Sequence, residues 1–119
     1  MSTLVSDGVQ LTNELPLTIL YQGQQHVLYP GSAPYSFGRD GQCDQVVSTT
    51  SASRVHAKIE SRRGRFVLVD ESTNGTYLQI EDAGPIFLRR EEIPLQGRGV
   101  ISFGEAPGLS STDLLRFHF

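Results

Sequence analysis

Three short segments carry side chains suited to holding an anion: Phe37-Gly38-Arg39, Ser53-Arg54-Val55-His56-Ala57 and Ser72-Thr73-Asn74-Gly75-Thr76. Each lies where an apolar or alternating run gives way to turn residues, so each is expected where a strand meets a loop. The planar fork of Arg39 can give two parallel hydrogen bonds to phosphate oxygens, and a position just past a strand and a glycine holds it at a loop mouth. Ser53 adds a hydroxyl donor and Arg54 a second charge. A phosphorylated side chain brings roughly −1.5 to −2 charges and three acceptor oxygens at neutral pH, and needs fixed donors and positive charge to hold it. If the three segments gather at one end of a β-sandwich, as loops of such folds commonly do, their groups suit a phosphate ester.

Other chemistry has less behind it. Ser53, His56 and Asp70 are the types a nucleophile, base and orienter require, but His56 lies three residues from Ser53 at a strand start and no Gly-x-Ser-x-Gly elbow occurs. His26, His56 and His118 are far apart, with no His-x-x-x-His pair and no Gly-x-x-x-x-Gly-Lys phosphate loop. Cys43 is the single cysteine, which rules out an intrachain disulfide and a cysteine zinc cluster and favours a reducing compartment. No enzyme activity, cofactor or metal is expected. A net charge of −3 gives no overall footprint for nucleic acid. No run approaches the roughly 20 apolar residues of a membrane-spanning helix, and the opening MSTLVSDGVQLTNE lacks a leader's pattern. The expectation is a soluble, cytoplasmic protein that contacts neither membrane nor nucleic acid.

The elements that must position these residues are short strands. A length of 119 residues suits one domain, and 38% hydrophobic residues with 12 glycines suit a folded core with many turns. Residues 1–15 read as a tail or the end of a linker, and 16–119 as the domain. Strands are expected over 17–21, 24–28, 35–37, 45–47, 56–60, 65–70, 76–78, 86–88, 100–103 and 114–119, with no helix.

The alternation in 56–60 predicts that Ala57 and Ile59 face the core while His56, Lys58 and Glu60 face away. The run Phe66-Val67-Leu68-Val69 reads as a central strand, and Leu115, Phe117 and Phe119 share one face of the last. Arg62-Arg63-Gly64 and Ser72-Thr73-Asn74-Gly75-Thr76 both read as hairpin turns. Arg62, Arg63, Arg89 and Arg90 read as charged turn or edge residues without a binding role. The segment 79–99, broken by Pro85 and Pro94, yields only one strand.

In order and spacing, the Gly38-Arg39 pair, the Ser53-Arg54-Val55-His56 element and the Asn74-Gly75 turn together resemble the forkhead-associated (FHA) domain family, over roughly Leu17 to Phe119. The resemblance implies an all-β, two-sheet β-sandwich (FHA/SMAD-like) of about eleven short, mainly antiparallel strands, with chain ends close together and a binding surface on the loops at the opposite end. It implies a phosphopeptide-recognition module for phosphothreonine-containing proteins in signalling, serving as an adaptor domain of a larger protein. Arg39 and Ser53 would hold the phosphate with help from Arg54, and Thr73 and Asn74 would contact the peptide. Gly38, His56 and Gly75 would keep the loops in shape. The chain departs from the family pattern at Ala52, where a larger apolar residue is usual, and in the long segment 79–99. The competing reading is a scaffold of the same fold that recruits partners without phosphorylation, for example through a sheet face.

Overall fold

The computed structural model describes residues 15–107 and 113–119. The expected tail therefore lies, apart from Leu15, outside the described residues. Eleven strands follow one another: β1 Leu17–Tyr21, β2 Gln24–Leu28, β3 Tyr35–Gly38, β4 Gln45–Val46, β5 Ala57–Arg62, β6 Arg65–Asp70, β7 Thr76–Ile80, β8 Ile86–Leu88, β9 Glu92–Pro94, β10 Arg98–Phe103 and β11 Leu115–His118. They form a six-stranded sheet in the order β2-β1-β11-β10-β7-β8 and a five-stranded sheet in the order β4-β3-β5-β6-β9. Every pairing with a described register is antiparallel except that of β3 with β4. The start of β1 lies against the end of β11, with Thr18 opposite His118.

Period-two alternation builds the core. Leu17, Ile19, Leu78, Ile101, Leu115 and Phe117 project inward from the six-stranded sheet, and Phe37, Ile59, Phe66 and Leu68 meet them from the other. Phe37 and Phe103 stack across the sandwich with ring centroids 5.3 Å apart, beneath the loops that follow β3 and β10. Each such fully buried side chain stabilises the fold by about 1.5–3 kcal/mol relative to exposure. The hairpin at Arg63-Gly64 forms as expected: both residues have positive φ (53° and 78°), and Arg62 pairs with Arg65.

Four expectations change. His56 does not face away; it precedes β5, where the chain is still leaving the loop, and its side chain is completely buried. Alternation begins only with the strand, where Ala57 and Ile59 are buried and Lys58 and Glu60 lie outward, half-covered. Ser72–Thr76 is not a hairpin turn, because β6 and β7 belong to different sheets and this loop crosses between them. Phe119 lies beyond β11 and stays 37% exposed, reaching the core only at its margin through Phe66. Finally, β9 occupies the segment from which one strand was expected. It is an edge strand bound to β6 alone, so Pro94 and its missing N–H are tolerated there.

Candidate functional site

The loops after β3, β4, β6 and β10 meet at one end of the sandwich, and backbone hydrogen bonds fasten them together. Arg39 N–H donates to the Ser53 carbonyl at 3.0 Å, and Asp40 N–H to that of Arg54 at 3.0 Å. His56 N–H reaches back to Phe37, Glu71 N–H to His56, and Gly104 N–H to Gly75. Gly38 allows the close approach of the Arg54 carbonyl, since a Cβ there would stand 2.1 Å from its oxygen. Gly75, at φ +89°, lies under the Phe87 ring, where a Cβ would come within 2.3 Å.

Arg39 is held by Nε, which donates to the Ala52 carbonyl at 2.6 Å, and among the described residues its terminal nitrogens keep their donors free. The Ser53 hydroxyl oxygen accepts the Thr73 N–H at 3.1 Å, which leaves the hydroxyl proton to donate outward. The Arg54 side chain is 81% exposed, 3.5 Å from the Asp40 carboxylate. Asn74 Nδ2 donates to the Ser51 carbonyl at 3.0 Å, tying the loop after β6 to the loop after β4. These residues border an open cleft of about 490 Å³. The structure thus brings Arg39, Ser53, Arg54, Thr73 and Asn74 onto one surface, with Gly38, His56 and Gly75 beneath it.

His56 is the pin between two of the loops. Its Nδ1 accepts the Ser53 backbone N–H at 2.9 Å, so the ring proton sits on Nε2, which donates to the Gly75 carbonyl at 2.8 Å. The ring meets Phe103 edge-on. Burial holds its pKa below the ordinary histidine value, outweighing the opposing pull of the Gly75 carbonyl and the Asp70 carboxylate, so the ring is neutral at neutral pH. With both nitrogens engaged by main chain, the imidazole is unavailable as a base to the Ser53 hydroxyl. Among the described residues no group of three or more His, Cys, Asp or Glu side chains is placed to hold a metal ion.

Beneath the loops lies a polar core centred on Asp70, which the motifs did not include. Asp70, buried, accepts hydrogen bonds from the Ser72 hydroxyl (2.7 Å), the Thr76 hydroxyl (2.6 Å), Ser72 N–H (3.2 Å) and Arg90 N–H (2.8 Å). Burial alone would push its carboxyl up, but these donors outweigh it and hold the pKa below the ordinary value. Ser72 passes the chain on by accepting Gly75 N–H at 2.7 Å, and Arg90 Nε caps the Ser72 carbonyl at 2.9 Å. Arg90 is therefore a brace of the crossing loop and not merely an edge charge. Glu105 is a further tie, accepting from the Ser51 hydroxyl at 2.8 Å and more distantly from Thr49. The one hint in the sequence was Asp70 itself, an ionisable residue two positions after Leu68, on the face the strand turns to the core.

A two-sheet sandwich with donor-rich loops laced over one end is the architecture of a recognition domain whose ligand sits on loops. The family model described as FHA domain matches residues 35–104, more than half of the chain, and the protein belongs to that family. Among solved structures, it resembles the FHA-1 domain of Mycobacterium tuberculosis Rv1747 (26% identity, 87% of this chain and 94% of that one, TM-score 0.65). It also resembles the FHA domain of the Chlamydia trachomatis protein CT664 (27% identity, 87% and 95%, TM-score 0.61). The MEK1 FHA domain, solved with a phosphothreonine peptide of HOP1, shares the fold at 22% identity, with 87% and 95% coverage and a TM-score of 0.64. No curated protein matches the chain in sequence.

Proposed function

We propose that this domain reads phosphothreonine in partner proteins and acts as an adaptor in cytoplasmic signalling, as part of a larger protein, without catalysis of its own. The observation that carries the reading is the convergence of the Arg39 guanidinium, the Ser53 hydroxyl and the Arg54 guanidinium on one open cleft. Arg39 and Ser53 take the phosphate oxygens, the first by a charged fork and the second by its free hydroxyl proton, and Arg54 adds charge from the rim. Thr73 and Asn74 line the same cleft beside Ser53 and contact the peptide next to the phosphothreonine. Gly38, His56 and Gly75 contribute by fixing loop geometry. A bound phosphothreonine peptide in the MEK1 relative supports the same ligand class here, as does family membership.

Binding is all that the arrangement asks of these groups. The phosphate is held by preorganised donors, and the methyl group that separates threonine from serine is worth about 1–3 kcal/mol in an apolar niche. The test is a titration of matched phosphothreonine, phosphoserine and unphosphorylated peptide libraries against the wild-type domain and Arg39→Ala. The expected result is binding to phosphothreonine alone, weakened at least about tenfold in a folded Arg39→Ala, the loss of a charge-assisted pair. Equal binding by Arg39→Ala, or no phosphopeptide binding at all, would overturn the reading in favour of a phosphorylation-independent scaffold.

A further inference from the structure

The outer faces of the two sheets treat charge differently. On the five-stranded sheet, Lys58 pairs with Glu60 (3.1 Å) and Glu71 (3.4 Å), and Arg62 with Glu60 (2.6 Å) and Glu92. Lys58 and Arg62 are thus answered by carboxylates on their own face, although Arg65, directly opposite Arg62, has no ion pair among the described residues. On the six-stranded sheet, Arg98 stands directly opposite His118, and Arg116, opposite Val100, lies diagonally from Arg98. Such diagonal neighbours are only about 7–8 Å apart, and like charges at cross-strand positions destabilise a sheet. Among the described residues the one carboxylate answering this cluster is Glu81, 3.7 Å from Arg98 Nε, and Arg116 has no ion pair. In a chain of net charge −3, two arginines against one carboxylate make a local excess of positive charge among the described residues.

The cluster sits among apolar side chains that the sheet leaves exposed or, at Val100, half-buried. Leu20 lies opposite Arg116 on the strand next to it, Val100 on the other side, and Val27 beyond Thr18. Leu20 and Val27 are 38% and 37% exposed, and Phe87, packed on Tyr77, is 47% exposed. A hollow of about 830 Å³ runs along this region, bounded by Gln79, Arg98, Val100, Arg116 and His118. It opens at the end of the strands opposite the phosphate-suited cleft, since Ile80, Arg98 and His118 lie at the other ends of β7, β10 and β11.

We propose that this outer face is a second docking surface, for an acidic segment of a partner protein that carries apolar side chains between its carboxylates. Charge complementarity identifies the occupant: carboxylates answer Arg98 and Arg116, and apolar side chains cover Leu20 and Val100 between them. The surface is independent of the phosphate cleft, so a phosphoprotein engaging both would gain by effective concentration without new contacts.

The test is an NMR titration of the 15N-labelled protein with two unphosphorylated peptides, one alternating Glu with Leu and one alternating Lys with Leu. The expected result is a saturable shift of the Leu20, Val100, Arg116 and His118 amides with the Glu peptide only. The doubly substituted Arg98→Glu/Arg116→Glu protein should bind about tenfold more weakly, as befits the loss of two exposed ion pairs. Both arginines are exposed, so the variant should fold, and an unchanged urea midpoint checks this. Arg39→Ala should bind the Glu peptide as wild type does. No saturable shift on this face, shifts confined to the loops around Arg39 and Asn74, equal response to the Lys peptide, or full affinity in the folded double variant would each overturn the proposal.

Discussion

Replacing His56 by alanine should cost several kcal/mol of stability, although His56 touches no ligand in the proposed mode. The side chain is wholly buried and satisfies two main-chain groups of different loops, the Ser53 N–H and the Gly75 carbonyl. Truncation leaves both unpaired at about 1–3 kcal/mol each, and the lost contact with Phe103 adds to that, for a total of about 4–5 kcal/mol. A domain of 119 residues has roughly 6–18 kcal/mol to lose. Urea unfolding followed by tyrosine fluorescence should show a much lower midpoint with an unchanged slope. Phosphopeptide affinity, measured at a temperature where the variant is folded, should fall as well, because Ser53 and Gly75 are no longer pinned. The acid side gives an independent check. The folded-state pKa of His56 lies below the ordinary 6.5, so its stabilising contribution is complete above that value and is lost as pH falls through the lower, folded pKa. Asp70, with its folded pKa depressed below 3.8, contributes stability that is complete above 3.8 and is lost as pH falls from there through its folded value, so its loss begins at lower pH than that of His56. His56→Ala should lack the first and retain the second. A destabilisation below about 1 kcal/mol would refute the reasoning, since it is less than the cost of one unpaired buried group. So would intact stability with abolished binding, which would make His56 a ligand contact.

Two further substitutions test the lacing. Gly75→Ala forces a side chain into φ +89° and against the Phe87 ring and the Leu88 carbonyl, so it should lose at least about 2 kcal/mol and lower Tm by about 10 °C in calorimetry. Glu105→Ala removes the acceptor of the Ser51 and Thr49 hydroxyls and should cost only about 1 kcal/mol of stability. By calorimetric titration it should nevertheless weaken phosphopeptide binding several-fold, about the same energy, because Ser51 in turn holds Asn74.

Strands were legible wherever the pattern was local. β1, β2, β6 and β8 fall within the expected bounds because alternation or continuous apolarity is interrupted by Gly, Pro or Asn within a few residues. The reading failed where sheet membership decides the answer. Asn74-Gly75 carries a hairpin's signature, yet β6 is flanked by β5 and β9 while β7 is flanked by β10 and β8. Its positive-φ glycine serves a crossing between sheets, and nothing within five residues separates the two uses. β9 was hidden for the opposite reason: three residues with a proline make a strand only because β6 has a free edge beside them.

The same division runs through the site. Residues that present donors outward follow strand ends, and their types in sequence order reveal them before any fold is known. The groups that keep those donors still are a different set. Asp70, Ser72 and Arg90 meet across a span of twenty residues only because the sheet order brings the start of β9 against the end of β6. A phosphate cradle whose donors sit on loops has to be rigid to within a fraction of an ångström to be worth its charge, and loops are ordinarily the softest part of a domain. Here the softness is removed from below: an ionised carboxylate with four donors, a neutral imidazole between two main-chain groups, and two glycines where any Cβ would collide. Selection on such a site therefore acts on buried residues that never meet the ligand, and substitutions at Asp70 or Arg90 should appear in a binding screen as losses of affinity, with their cause visible only when stability is measured alongside.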